Sequence, residues 1–304
     1  MSSPNNSEFT QQLSDKYAVF MERANIYAQK VMAMSNDSFE KTVVVALALC
    51  LVGAVLVSGS AVILKPLQVS NKAADEKSNI LEVVGMLEKG TNVEQAFKQF
   101  EAKIVDLETG DYTEAYDPAT FDQRKAAKDP ALNVEIPSDK DIAKIGRKSK
   151  YAKVYLVKEG DKIKAVVLPV SGYGLWSTMH GYMALQGDGQ TVIGLNLFDQ
   201  AETPGLGGEV VNPRWKALWK GKKVYKESSE AGQEFFKKDH TELGEPILAL
   251  VKGTVDPAKP GAVHQVDGLA GATLTSNGVS NLVRYWMSSE GFAPYLAKLR
   301  SQRG

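Results

Sequence analysis

Three short segments hold the residues best suited to binding or chemistry: "SGYGLWSTMHGY" (171–182), "AETPGLGGEV" (201–210) and "DGLAGATLTSNGV" (267–279). The last packs Gly268, Gly271 and Ala272 around the hydroxyls of Thr273, Thr275 and Ser276. It contains no histidine, cysteine or lysine. Val279, Leu282, Val283 and Trp286 follow at helical spacing, so a helix is expected there with Thr275 or Ser276 as its N-cap. Thr273 would then stand two or three residues ahead of a helix N-terminus, where free N–H groups and the helix dipole favour an anion. The small residues let a large group lie against the backbone, which suits a phosphate-bearing ligand. A phosphate held non-covalently ordinarily also meets a lysine or arginine, as in the P-loop. None is present here, so on this segment alone a small turn with a helix cap remains the plainer account.

The other two segments add to it. Trp176 sits among glycines and hydroxyls after a predicted strand, and Glu202 opens a glycine-rich loop after another. Taken singly, Trp176 reads as a core anchor and "PGLGG" as a turn. Taken together, three glycine-rich segments at strand ends, with an aromatic ring and a carboxylate, offer what a flat heteroaromatic ring with a phosphate tail requires.

The elements that must position these segments are strands. "YAKVYLV" and "KIKAVVLPV" alternate, with hairpin chemistry in "KEGD" between them, and "TVIGLNLF" and "PILALVK" read the same way. No βαβ alternation appears, so the expected class is α+β with antiparallel pairing. Upstream, Thr91 and Glu94 have capping-box spacing, and Val93, Phe97, Phe100 and Ile104 read as one helical face ended by Gly110. Thr42 to Leu64 is an uncharged run between Lys41 and Lys65. As a helix of about 35 Å it is long enough to cross a bilayer, and it is too long and too far from the N-terminus for a signal peptide. Three basic residues on each side leave its orientation undecided. Ala46, Cys50, Ala54 and Ser58 form one small-residue face on it. Before the span, Phe9, Leu13, Tyr17, Phe20, Ala24, Tyr27 and Val31 mark an amphipathic helix suited to a membrane surface or a partner. The expected organisation is an amphipathic extension at 1–41, a transmembrane helix at 42–64, a helical stalk and irregular subdomain at 65–150, and a core domain at 151–304.

Charge balance, 36 basic against 36 acidic residues, offers no basic stripe for nucleic acid. One cysteine excludes an intrachain disulfide and a four-cysteine cluster, and His180, His240 and His264 lack metal-ligand spacing. No metal site is expected, and any redox metal would belong to a partner. No dinucleotide fingerprint appears, so no NADH binding by this chain is expected.

"GYGLWSTM", "ETPGLGGEV" and "VDGLAGATLTSNGV", with the span followed by "KAADEKSNIL", resemble the C-subunit family of bacterial Na+-translocating NADH:quinone oxidoreductases. These are membrane-anchored members of the FMN-binding domain family, and the resemblance covers roughly residues 34–304. It implies FMN esterified through its phosphate to Thr273 by a separate flavin transferase, with Asp267 to Thr273 as the attachment signal. That would account for the missing lysine, since a covalent bond replaces electrostatic retention. It also implies a flavin site formed by Leu175, Trp176, Glu202, Thr203, Leu206, Gly207, Gly271, Ala272, Leu274 and Thr275. Trp176 and Leu206 would pack on the ring, and amides from Thr203 to Gly207 would bond its polar edge. The implied role is an electron relay from a partner's metal centre to another flavin protein, within a complex that also holds iron–sulfur and membrane subunits. The implied location is the bacterial inner membrane, single-pass, with the soluble domain periplasmic. Two alternatives remain: the shorter, FMN-carrying G-subunit family of Rnf-type complexes, which "GLWSTM" disfavours, and a non-redox anchored binding module. The family pattern begins near Met34. The 33 residues before it are either a genuine extension or an upstream start.

Overall fold

The computed structural model describes residues 6–226 and 244–301, and the chain divides into two compact units, Met1–Asn71 and Lys72–Gly304. His240 lies outside the described residues.

The first unit holds α1 (Asn6–Ala33) and most of α2 (Phe39–Val83). An 18-residue stretch of α2 has a mean hydropathy of 2.6 and is wholly unburied, so this helix is long and apolar enough to cross a membrane. The charged residues after Leu64 continue the same helix, through Pro66, to Val83.

The second unit is built on a six-stranded sheet in the order β2-β1-β5-β6-β7-β8, with every neighbouring pair antiparallel. These strands are β1 (Phe100–Asp106), β2 (Tyr112–Thr113), β5 (Tyr151–Glu159), β6 (Lys162–Tyr173), β7 (Thr178–Gln186) and β8 (Val192–Asp199). Gly160, with φ +62°, makes the turn between β5 and β6, as its hairpin chemistry anticipates. Two small pairs stand apart: β3 (Asn133–Glu135) with β4 (Arg147–Ser149), antiparallel, and β9 (Ala249–Val251) with β10 (Gln265–Asp267), parallel.

Period-2 alternation gives this sheet two apolar faces. On one, Tyr155, Val167, Tyr182 and Ala184 pack on Ile80 and Val83 of α2, and Gly194 brings β8 against the Val83 carbonyl. On the other, Val154, Leu156, Val166, Leu168, Met183 and Leu185 meet two helices. These are the helix at Thr273–Met287, which brings Val279, Leu282, Val283 and Trp286, and the one at Ala293–Ser301, which brings Tyr295, Leu296 and Leu299.

Several expectations change. The helix expected from Val93 shortens to α3 (Val93–Phe97), capped by Asn92 rather than Thr91, and Phe100 and Ile104 lie in strand β1. Phe100 to Asp106 pairs residue by residue with β5, and a cross-strand partner outweighs a local helical pattern. Residue 150 is therefore no structural boundary: β1 belongs to the same sheet as β5–β8. Residues 178–182, grouped above with the glycine-rich segment around Trp176, form the start of strand β7. Among the described residues, two short helices, α4 (Gln123–Ala126) and α5 (Pro213–Ala217), precede α6 (Thr273–Met287) and α7 (Ala293–Ser301).

Gly278 lets α6 approach the end of β6, because a Cβ there would collide with the Tyr173 carbonyl oxygen. Gly278→Ala is expected to cost about 1–3 kcal/mol, read as a lower midpoint in thermal or urea unfolding of the domain.

Candidate functional site

The three glycine-rich segments each leave the end of a strand: 174–177 after β6, 200–206 after β8, and 268–272 between β10 and α6. What joins them is one carboxylate. Glu202 is 4% exposed. Its Oε1 accepts from the amides of Leu175 and Trp176, both at 3.0 Å, and its Oε2 accepts from the Thr275 hydroxyl at 2.6 Å. Burial by itself raises this carboxyl's pKa. The Thr275 hydroxyl and the amides of Trp176, Leu175 and Ser177 outweigh that and hold it below the ordinary carboxylate value. Two glycines make the approach possible. A Cβ at Gly174 would lie 2.5 Å from Glu202 Oε1, and one at Gly207 would lie 2.5 Å from Thr275 Oγ1.

Around this buried node the surface is apolar. Trp176 is 65% exposed, yet its indole N–H donates to Thr203 Oγ1 at 3.1 Å, which fixes the ring. Leu175, Leu206 and Leu274 are also exposed. Leu206 stands beside Gly271, whose φ of +70° suits glycine and whose missing Cβ would lie 3.1 Å from Leu206 Cδ2. Exposed leucines and a tryptophan held in place beside a helix start suit a flat apolar ligand.

α6 begins one turn earlier than expected. Ala272 occupies the N-cap and makes no side-chain capping bond, so Thr273 is the first helical residue and its side chain is exposed. Thr275 and Ser276 are not caps. The Thr275 hydroxyl donates to Glu202, and Ser276 Oγ accepts from the Leu269 amide at 3.0 Å. Tertiary partners took both hydroxyls, which leaves the first-turn N–H groups of α6 without a side-chain acceptor among the described residues. Asp267 also serves the scaffold: its Oδ1 accepts from the Val255 amide at 2.8 Å, and its carbonyl from the Trp215 indole at 3.0 Å. Of the amides expected to serve a ligand between Thr203 and Gly207, Pro204 has none, and that of Leu206 donates to the Thr203 carbonyl. Those of Thr203, Gly205 and Gly207 remain.

The structure thus ties Leu175, Trp176, Glu202, Thr203, Gly207 and Thr275 together by hydrogen bonds and close approach. Leu206 and Gly271 join at the rim, and Ala272, Thr273 and Leu274 are the N-cap and first two residues of α6. Sequence reasoning missed the role of Glu202 as the node, for which the only signal was an acidic residue opening a glycine loop. The residues fit FMN: an exposed hydroxyl and an uncapped helix start for the phosphate end, and an apolar shelf for the ring.

A profile of the FMN-binding domain matches residues 174–288, which span all three segments. The C-subunit of the Na+-translocating NADH-quinone reductase of Pseudomonas aeruginosa is 46% identical over 270 residues, covering 88% of this chain and 98% of that protein. The chain belongs to the C-subunit family of these reductases. Its Vibrio vulnificus relative is 45% identical over 267 residues, 88% of this chain and 97% of that one. The crystal structure of Shewanella oneidensis NqrC superposes with a TM-score of 0.65 at 30% identity, covering 76% of this chain and 99% of that one. The family's FMN-binding domain is therefore present here, and the α+β reading with an antiparallel sheet holds.

Glu202→Gln is expected to lower stability at neutral pH by about 2–3 kcal/mol, since a charge-assisted acceptor is replaced by a group carrying its own donor. The folded pKa is depressed. The stabilisation is therefore fully present above the unfolded value of about 4.3 and is lost as pH falls through the lower folded value. Unfolding free energies of both proteins measured against pH should converge on acidification.

Proposed function

We propose that this chain carries FMN covalently, through a phosphoester to the Thr273 hydroxyl, as an electron-carrying subunit of a Na+-translocating NADH-quinone reductase. The observation that carries this reading is an exposed threonine hydroxyl at the first position of a helix with no side-chain cap, beside an apolar shelf. A phosphodiester keeps one negative charge, and the first-turn N–H groups of α6 supply the donors and the positive dipole end for it. Retention by a bond removes the need for a lysine or arginine in the loop. Trp176 and Leu206, with Leu175 and Leu274 at the rim, cover the ring. The amides of Thr203, Gly205 and Gly207 serve its polar edge and so tune its potential. Glu202 and Thr275 position rather than react, because their polar atoms are already bonded to each other. When bound, FMN supplies the electron-accepting and electron-donating chemistry that no side chain here provides.

The assignment to a membrane complex is supported by α2 and by the names of the relatives. In this reading the domain stands on the periplasmic side of the inner membrane and exchanges electrons with metal-bearing and flavin-bearing subunits. A separate flavin transferase forms the ester from a flavin pyrophosphate donor: the Thr273 oxygen bonds to the flavin-side phosphorus, the P–O–P bond breaks, the nucleoside monophosphate leaves and the hydroxyl proton is released.

Two outcomes are expected. Protein matured together with the transferase should show flavin fluorescence that survives denaturing electrophoresis, and Thr273→Ala should lose essentially all of it. Mass spectrometry finding an unmodified 267–279 peptide in such protein would defeat the proposal. Trp176→Ala should keep the bound flavin but shift its midpoint potential and increase its exposure to a soluble quencher, read by redox titration and fluorescence. An unchanged potential and exposure would remove Trp176 from the site.

A further inference from the structure

A helix that the flavin site does not use stands directly ahead of the apolar span. In α1, Tyr17, Phe20, Ala24 and Tyr27 follow steps of four and three, so they share one face, and all are exposed, Phe20 by 66%. Lys16, Arg23 and Lys30 recur every seven residues. At about 100° per residue they line one flank, roughly 80° round the helix from the middle of that stripe. Asp15 and Glu22 fall on the opposite face, roughly 170° away by the same count. Three zones result: apolar below, basic at the side, acidic above.

The end of α1 is tied to the start of the span. Lys41 Nζ donates to the carbonyl of Met34 at 2.9 Å and to Asn36 Oδ1 at 2.8 Å, and also reaches the Met32 carbonyl at 3.3 Å. Residue 42 opens the uncharged run. α1 therefore emerges where the bilayer boundary must lie if α2 crosses it. A second copy of α1 is a poor occupant for the stripe. In a parallel pair the basic column would face Ser14, Met21 and Ala28, which offer no carboxylate, and in an antiparallel pair it would face itself.

We propose that α1 lies along the membrane surface, its Tyr17–Tyr27 stripe in the interfacial layer and Lys16, Arg23 and Lys30 against anionic lipid headgroups. Tyrosines suit that layer, where one end of the ring is apolar and the other wet. The acidic face points away from the headgroups, and continuity with the span removes most of the entropic cost of recruitment. The inference rests on the membrane-anchored reading above.

The test uses the full chain in vesicles of phosphatidylcholine, alone or mixed with phosphatidylglycerol, with a nitroxide quencher on the lipid. A fluorophore is placed on Ala24→Cys in the stripe or Gln29→Cys on the polar face, each in a Cys50→Ala background. Native Cys50, labelled in the unaltered chain, reports on the span. The label at 24 should be quenched roughly threefold more than that at 29 in anionic vesicles. The difference should shrink in pure phosphatidylcholine or after Lys16, Arg23 and Lys30 are changed to Gln. Quenching at Cys50 with none at 24, or equal quenching at 24 and 29, overturns this inference and leaves the anchor standing. Shielding of 24 that needs the other subunits or rises with protein concentration, without lipid quenching, replaces the lipid with a protein partner. No quenching at Cys50 removes the anchored reading and this inference with it.

Discussion

A single buried carboxylate holds the site together. Taking a charge out of water is costly unless its acceptor sites are filled. Glu202 is filled from two sides, by the amides of the 174–177 turn and by the hydroxyl of Thr275 in the first turn of α6. Segments as rich in glycine as these have little cohesion of their own and lose much conformational freedom on ordering. The shared acceptor fixes them relative to one another, and the glycines at 174 and 207 are the clearance it requires.

The same logic runs down α6. Its first two turns carry small residues and hydroxyls that serve packing. Ser276 accepts from Leu269, and Ser280 accepts from the Leu250 amide at 3.0 Å, tying β9 to the helix. Gly278 admits the end of β6. Further along, the indole of Trp286 donates to the Ser171 carbonyl at 2.7 Å, anchoring the far half of α6 beside the strand that leads to Trp176. α6 is thereby held at both ends, and Thr273 is presented at a rigid start rather than on a free loop.

On the opposite face of the sheet, polar groups register the last turns of α2. Tyr155 OH donates to Glu76 at 2.6 Å, Lys153 pairs with it at 3.0 Å, and Asn196 bonds Asn79 and Glu82. Ile80 and Val83 fill the apolar space between them. The last turns of α2, from Glu76 to Val83, thus form one layer of the folded domain rather than part of a stalk.

Much of this was legible in the chain. Uncharged length marked the span, β-branched alternation marked β5, β6 and β8, and the 3.6 period of Val279, Leu282, Val283 and Trp286 marked α6, because these signals depend only on burial and local geometry. The motifs around Trp176, Glu202 and Thr273 pointed to the family. Pairing decided the rest. Phe100 and Ile104 have helical spacing, yet the edge of β5 was available and seven residues paired with it. Thr275 and Ser276 have the chemistry of caps, yet Glu202 and the Leu269 amide lay within reach and took them. Local sequence states which groups can bond, while which bonds form depends on partners brought close from 7 and 73 residues away, and only the tertiary fold sets those distances.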